Sequence, residues 1–432
     1  MTALLDRYRR LVIVVRADPV ICGHSVEARN LAEAALLRGF TEVRIVTWPL
    51  DRLEAAGLPL KPLEHLLPYS DGITVERPEP VGDYRVVDGR YTGGVVGRLV
   101  ELFTDGVPTI CLSLYLSPHT LAVQEAVTAA HRTGLPVDVL TVAEAVGSDI
   151  TNVVRTAVAQ QRYGAAAHVL GTYLANDCCV AVSEYTKELI VAAAAEVDAG
   201  LGTSFAARCQ AQVGISYPAL DTASYLGVDP ADAAAVLARR GIPDEPYVLF
   251  LSRLTEAKGV PDLLEGYARS GIADRVRLVV AGRGPQEEEI AALAAASPLA
   301  GRIHVLTDVD DEEKPALMAG SRAFCLPTLP RPEFVETFGI AVVEKMLAGG
   351  GPVITTKTGG VPEAVGDTAM IVGVQDPDAI AAALAAAVAL EGDEREAWEA
   401  RARDYALQFD RATVLDRMLG QLEVAVGETV AA

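Results

Sequence analysis

The chain opens with scattered basic residues and then an unbroken apolar run, Leu11-Val-Ile-Val-Val15, closed by Arg16. A short apolar run without polar alternation predicts a strand buried on both faces, as in a parallel sheet covered by helices. Residues 25–37 have helical spacing and residues 43–47 predict a second strand, so the opening reads as a βαβ unit. Further strands are predicted at 109–112, 137–141 and 179–182, the last followed by a helix through Glu188. Between residues 214 and 246 the pattern lapses into turn formers, Pro218, Gly227, Pro230, Gly241, Pro243 and Pro246, as in a connection between domains.

A second series of strands follows at 247–252, 277–281, 302–306, 323–327 and 352–355, each leading into a helical pattern. Asp376-Pro377-Asp378 predicts the start of an Ala-rich helix, and a last amphipathic helix is expected from about 394 to 426. The predicted class is α/β. Residues 1–218 and 219–410 form two Rossmann-like domains with parallel sheets facing across a cleft, and residues 411–432 return as a helix on the first domain. Ligands of such sheets bind outside the carboxyl ends of the strands, which is where chemistry is sought.

Composition narrows the partners. Half of the 432 residues are apolar and 22% are charged, enough to fill two cores and to exclude a disordered chain. Against 58 acidic residues there are 37 basic ones, a net charge of −21 that argues against nucleic acid and favours a cationic ligand. The apolar run near the N-terminus is too short for a signal peptide, and the Ala-rich stretch at 379–390 falls well below the roughly twenty residues of a membrane span. A cytoplasmic protein without a membrane span is expected. The six cysteines have no CxxC pair and no histidine at metal-ligand spacing, so they are read as reduced, buried thiols rather than a zinc site.

The most specific segment is Glu336-Thr-Phe-Gly-Ile-Ala-Val-Val-Glu344. Gly339 stands where loop becomes helix, so the amides of Gly339 and Ile340 are unpaired first-turn donors suited to a phosphate. Glu336 precedes the helix and Glu344 lies on its second turn, so the two acids can address different parts of one ligand. A second signal is Arg253 followed by Lys258-Gly259 after the strand at 247–252, two cations on one loop that suit a diphosphate. Their scarcity adds weight, because only six residues of the chain are lysine. Arg283 follows a strand inside a Gly-x-Gly turn, by itself a weak sign. No GxGxxG with an acidic residue about twenty positions on supports a dehydrogenase.

In this order, SRL, KG, AGxGP, ExFGxxxxE, GGGPVITT and GGVPE between Tyr247 and Asp367 resemble the donor half of the retaining family 4 glycosyltransferases of GT-B fold. The resemblance implies a UDP-sugar donor and no metal cofactor. It assigns Arg253 and Lys258 to the leaving diphosphate, the Gly339 and Ile340 amides to its distal phosphate, Phe338 to the donor site, Glu336 to the sugar ring and Glu344 to the ribose. The nucleobase would lie near Arg283 and Val309. Asp308-Val309-Asp310 has the look of a metal-binding DxD, but it is read as an acidic loop before a helix.

In the N-terminal half, Cys22-Gly23-His24-Ser25 stands where the family usually has two glycines, with Gly23 on the donor side and His24 on the acceptor side. His119 occupies the place of a site histidine. Where relatives carry a Thr-x-His-Ser type segment, this chain has Thr141-Val-Ala-Glu144. Glu144 is either a receiver for an acceptor's ammonium or a solvated loop acid. The implied chemistry is retaining transfer of a hexose or N-acetylhexosamine to a small soluble acceptor. The wording around 334–356 resembles enzymes that glycosylate aminocyclitols such as 2-deoxystreptamine in antibiotic biosynthesis. A sugar-phosphate or inositol-phosphate acceptor is the alternative, with Arg16, Arg29 and Lys61 as candidate phosphate ligands.

Overall fold

The computed structural model describes residues 2–81, 89–229, 231–332 and 334–431; Pro230, one of the turn formers above, lies outside them. The chain divides into two compact units, Met1–Leu220 with Arg411–Ala432, and Asp221–Asp410.

The first unit is built on seven strands, β1 (Arg10–Val14), β2 (Glu42–Val46), β3 (Ile73–Glu76), β4 (Thr109–Leu114), β5 (Val139–Ala145), β6 (Cys178–Ala181) and β7 (Val213–Ile215). They pair in parallel in the order β3-β2-β1-β4-β5-β6-β7. The second unit carries β8 (Tyr247–Leu251), β9 (Arg277–Ala281), β10 (Ile303–Leu306), β11 (Ala323–Leu326), β12 (Val353–Thr356) and β13 (Met370–Val372), parallel in the order β10-β9-β8-β11-β12-β13. In each sheet the winding direction reverses beside the first strand, between β1 and β4 and between β8 and β11. Such switch points are where doubly wound sheets hold ligands.

The apolar run of β1 is continuous because each face of the sheet has its own helices. Leu11, Ile13 and Val15 join a core with Ala28 and Leu31 of helix Gly23–Leu37 and with Val414, Leu415, Met418, Leu419 and Leu422 of helix Arg411–Ala431. Val12 and Val14 point the other way, onto Val95 and Leu99 of helix Gly89–Thr104 and Ala122 and Val123 of helix Leu121–Arg132. The last helix is also fixed by polar contacts: Arg38 meets Asp416 at 2.6 and 2.7 Å, and the Gln421 amide donates to the Ile215 carbonyl at 2.8 Å.

Three strands escape the apolar pattern. β3 alternates apolar and polar residues over Ile73–Glu76, and β7 and β13 have three residues each, so none shows a run of the kind used. The single helix expected from 394 to 426 is two helices, Gly392–Ala406 and Arg411–Ala431, separated by a 3₁₀ turn at Leu407–Phe409. Phe409 is fully buried there, and Asp410 leaves the helical region with ψ 135° while accepting the Thr222 hydroxyl at 2.6 Å. The expected cap at Asp376 is present, its carboxylate accepting the Ala379 amide at 2.9 Å. No disulfide joins the cysteines, and five of the six are buried. Among the described residues no helix is long and apolar enough to cross a membrane.

Lys345 ties the second unit together. Its side chain is fully buried, and its Nζ donates to the Met318 carbonyl at 2.8 Å, the Ser321 carbonyl at 3.2 Å, the Ser321 hydroxyl at 2.9 Å and the Gly349 carbonyl. Burial pushes this ammonium well below the usual lysine range. Lys345→Met would keep the volume and strand those carbonyls, lowering unfolding stability by about 3 kcal/mol; denaturant titration checks this, and an unchanged midpoint would refute it.

Candidate active site

At the carboxyl end of β8 the chain turns through Ser252 and Arg253 into a 3₁₀ turn, Glu256–Lys258, and then enters helix Val260–Arg269 at Gly259. Gly259 has φ +69°, and a Cβ there would lie 2.1 Å from the Pro327 carbonyl oxygen, so only glycine lets the loop pass this close to the end of β11. The tight passage holds Lys258 almost buried, with its Nζ in an ion pair with the Glu336 carboxylate. Arg253 is exposed and lies 5.5 Å from the centroid of the Phe334 ring, with Lys258 Nζ 5.3 Å from the same ring. Thus Arg253, Lys258 and Glu336, read separately from two segments, form one cluster.

Gly339 completes it. The residue caps helix Ile340–Ala348 with φ +107°, a conformation that costs a side-chain-bearing residue. A Cβ on Gly339 would stand 3.9 Å from Glu336 Cγ, so the first-turn amides of Gly339 and Ile340 open beside the ion pair. Phe338 turns its ring inward, edge-on to Phe409 at 5.0 Å, so backbone rather than ring is what it presents. Glu344 is buried one turn on, where its Oε1 accepts the Tyr225 hydroxyl at 2.8 Å and meets Lys314 Nζ at 2.5 Å. The Arg283 guanidinium donates from Nε to the Thr307 carbonyl, two residues before Val309. Asp310 accepts the Glu312 and Glu313 amides at 3.0 and 2.8 Å, and Asp308 meets Arg240 at 2.5 Å. The DxD-like triplet is therefore a capping loop, and no group of three metal-ligating side chains occurs among the described residues.

The first unit gathers a second cluster at the carboxyl ends of β1, β2 and β4. His119 is buried with Nδ1 2.6 Å from the Leu114 carbonyl, while Nε2 has no partner. A carbonyl accepts only, so Nδ1 carries the proton and Nε2 is a bare acceptor. Burial, with Arg16 adding to it, lowers the His119 pKa to about 3 and keeps the ring neutral. Trp48 stands edge-on to it at 5.3 Å and Tyr115 at 6.1 Å. Tyr115 holds φ +92°, strained for an aromatic residue, with Arg16 4.9 Å over its ring and His24 at 5.6 Å. Gly23 is the exposed first residue of the neighbouring helix. Of the candidate phosphate ligands, Arg29 is taken up by Asp18 at 3.0 and 2.8 Å, and Lys61 lies 4.0 Å from the same acid.

Glu144 is no solvated loop acid: it lies within β5 and is 1% exposed. It faces Glu27, also buried, and neither Glu144 oxygen nor Glu27 Oε1 meets a donor group. Burial raises both carboxyls, Glu27 to about 7, with Glu144 pushed further by the charges of Glu27 and Asp149. Two such acids share a proton. Sequence reasoning missed Glu27, Tyr115, Trp48, Tyr225 and Lys314. Lysine scarcity could have found Lys314, as it did Lys258; the others carry no local signal.

Residues 237–405 match the family model described as glycosyl transferases group 1. The chain is similar to the O-antigen chain mannosyltransferase B of Escherichia coli, 30% identical over 192 residues, which cover 44% of this chain and 48% of the relative. It is also similar to a GDP-mannose-dependent alpha-(1-6)-phosphatidylinositol monomannoside mannosyltransferase of Mycolicibacterium smegmatis, 31% identical over 172 residues, 39% of this chain and 44% of the relative. The chain thus spans about half the length of these curated relatives. In overall fold it matches Anabaena Alr3699/HepE, crystallised with UDP and glucose, with a TM-score of 0.67 at 17% identity over 96% of this chain and 100% of that one. The fold is GT-B.

A carboxyl whose pKa is raised on folding adds stability below its unfolded value, about 4.3 for glutamate, and that stability is lost as pH rises through the folded value. For Glu27 the window runs from about 4.3 to about 7. Glu27→Gln is expected to remove part of the fall in thermal midpoint across that window and to be neutral or stabilising at pH 8. Superimposable midpoint curves for wild type and variant would sink this assignment.

Proposed function

We propose that this chain is a retaining glycosyltransferase that moves a hexose or N-acetylhexosamine from a UDP-sugar to a small soluble acceptor, with an aminocyclitol such as 2-deoxystreptamine as the acceptor class. The observation that carries the reading is the Lys258–Glu336 ion pair beside the Gly339 helix start at the switch point of the second sheet. The group 1 match over residues 237–405 supports the same half of the chain as the donor unit.

A leaving nucleoside diphosphate gathers negative charge as the sugar's anomeric C–O bond breaks. Lys258, Arg253 and the Gly339 and Ile340 amides offset that charge in place, and one preorganised donor of this kind is worth about 3 kcal/mol of barrier. Lys258 is paired with Glu336. A diphosphate would take over the ammonium and free the Glu336 carboxylate for the sugar ring. The acceptor oxygen bonds to the anomeric carbon on the face the diphosphate leaves, and its proton passes to the departing phosphate oxygen, which gives retention. With cations and amides of the protein in this role, turnover needs no metal.

On the acceptor side, His119 Nε2 is an unpaired acceptor for a sugar hydroxyl, with the Trp48 and Tyr115 rings beside it. The net charge of −21 favours a cationic acceptor. A second reading, GDP-mannose as donor and an inositol-phosphate acceptor, draws on the name of the relative from Mycolicibacterium smegmatis, a GDP-mannose-dependent phosphatidylinositol monomannoside mannosyltransferase.

Purified protein in EDTA is incubated with UDP-glucose, UDP-GlcNAc or GDP-mannose, with 2-deoxystreptamine or inositol phosphate, and nucleotide release and product mass are followed. Acceptor-dependent UDP release with a hexose-mass adduct on 2-deoxystreptamine is expected; an adduct only with GDP-mannose or inositol phosphate selects the second reading, and a requirement for divalent metal overturns the metal-free mechanism. Glu336→Gln should lower turnover by about 100-fold or more while nucleoside diphosphate binds several-fold tighter, because Lys258 no longer has to leave a carboxylate. Weaker diphosphate binding in that variant would reject the exchange of partners.

A further inference from the structure

Glu344 is read above as the acceptor of the ribose hydroxyls, and the inference here rests on that reading. Two donors reach its carboxylate, and both converge on the same oxygen: the Tyr225 hydroxyl at 2.8 Å and Lys314 Nζ at 2.5 Å from Oε1. Lys314 Nζ also lies 5.9 Å from the centroid of the Tyr225 ring, so the three side chains close into a triangle. Oε2 accepts no hydrogen bond among the described residues.

The three groups come from separate elements. Tyr225 follows the 3₁₀ turn Thr222–Ser224, Lys314 lies in the first turn of helix Glu313–Gly320, and Glu344 lies in helix Ile340–Ala348. A glutamate on its own has several rotamers, and either oxygen could face a ligand. With Oε1 held from two directions the side chain has one orientation, and its ligand-facing oxygen is chosen in advance. Preorganisation of this kind raises affinity by sparing the cost of ordering.

We propose that Tyr225 and Lys314 are positioning residues that dedicate Glu344 Oε1 to the protein and leave Oε2 as the acceptor for the vicinal hydroxyls of a ribose. The consequence is selectivity for ribonucleotide over deoxynucleotide donors, set by residues that do not themselves touch the nucleotide.

The test compares binding of UDP and 2′,3′-dideoxy-UDP, and of the guanosine pair, by calorimetry on the full chain and on Glu344→Gln, Tyr225→Phe, Lys314→Met and Lys314→Arg. Wild type should prefer the ribonucleotide by at least tenfold, and Glu344→Gln should abolish the preference. Tyr225→Phe and Lys314→Met should each reduce it several-fold with the dideoxynucleotide affinity unchanged, and Lys314→Arg should retain most of it. If Lys314→Met does not fold, Tyr225→Phe, which keeps the ring, carries the comparison. Retention of the full preference in Tyr225→Phe and Lys314→Met, or equal weakening of both nucleotides, overturns the positioning role while leaving the ribose reading intact. A preference untouched in Glu344→Gln, or binding of neither nucleotide, sinks the ribose reading and the proposal together.

Discussion

A nearly buried ammonium must have a partner, and in the second unit Lys258 finds it 78 residues away in Glu336. That one ion pair fixes the loop after β8 against the loop before helix Ile340–Ala348. It thereby sets Gly339 and its amides beside the cation. Much of the surrounding architecture keeps this pair in place. The glycine at 259 lets the lysine loop pass the end of β11, and the Thr328, Thr356 and Thr358 hydroxyls form a buried chain beneath it. The Gly360 amide donates to the Glu336 carbonyl at 3.0 Å and anchors the other side. An anion that competes for Lys258 therefore acts on a prearranged charge, and the carboxylate it releases is already at the site.

Most buried charge is paired in both units, as Arg10 is with Asp105 and Asp18 with Arg29 in the first, and one pair of acids stands apart. In the second, buried cations have partners: Lys258 has a carboxylate, Lys345 a ring of carbonyls and Lys314 the acid of Glu344. In the first, Glu27 and Glu144 face each other without a cation, and Asp149 nearby is held by backbone amides alone, its pKa raised to about 6 by burial. The proposed binding and release of a multiply charged diphosphate calls for fixed positive charge in a dry place. The Glu27–Glu144 pair has no such cation and is met instead by a shared proton.

The apolar runs at 11–15, 247–252 and 277–281 were enough to place strands, because a strand covered on both faces cannot alternate, and that signal needs no knowledge of its neighbours. The same rule explains what it hid. The strand predicted at 137–141 stops short of Glu144, which by sequence reads as a receiver for an ammonium or as a solvated loop acid. The acid in fact lies inside the strand, facing another carboxyl. The helix expected across 407–410 followed from a periodicity that continues through the break, which a buried phenylalanine and the bond from Thr222 impose.

By itself the sequence determined two doubly wound parallel sheets, the turn-rich stretch between them, and the loops of Arg253, Lys258, Glu336, Gly339 and Arg283. These are local properties: hydrophobic period, glycine placement and the order of polar residues after strands. Only the tertiary structure decided which charges meet. That Lys258 is neutralised by Glu336, that Glu344 gives one oxygen to Tyr225 and Lys314, that His119 keeps a bare Nε2, and that Glu27 shares the burial of Glu144 are all outcomes of packing between distant segments. Burial raises the cost of an unpaired charge far above any local preference, so the partner of each buried group is chosen by the fold and not by its neighbours in the chain.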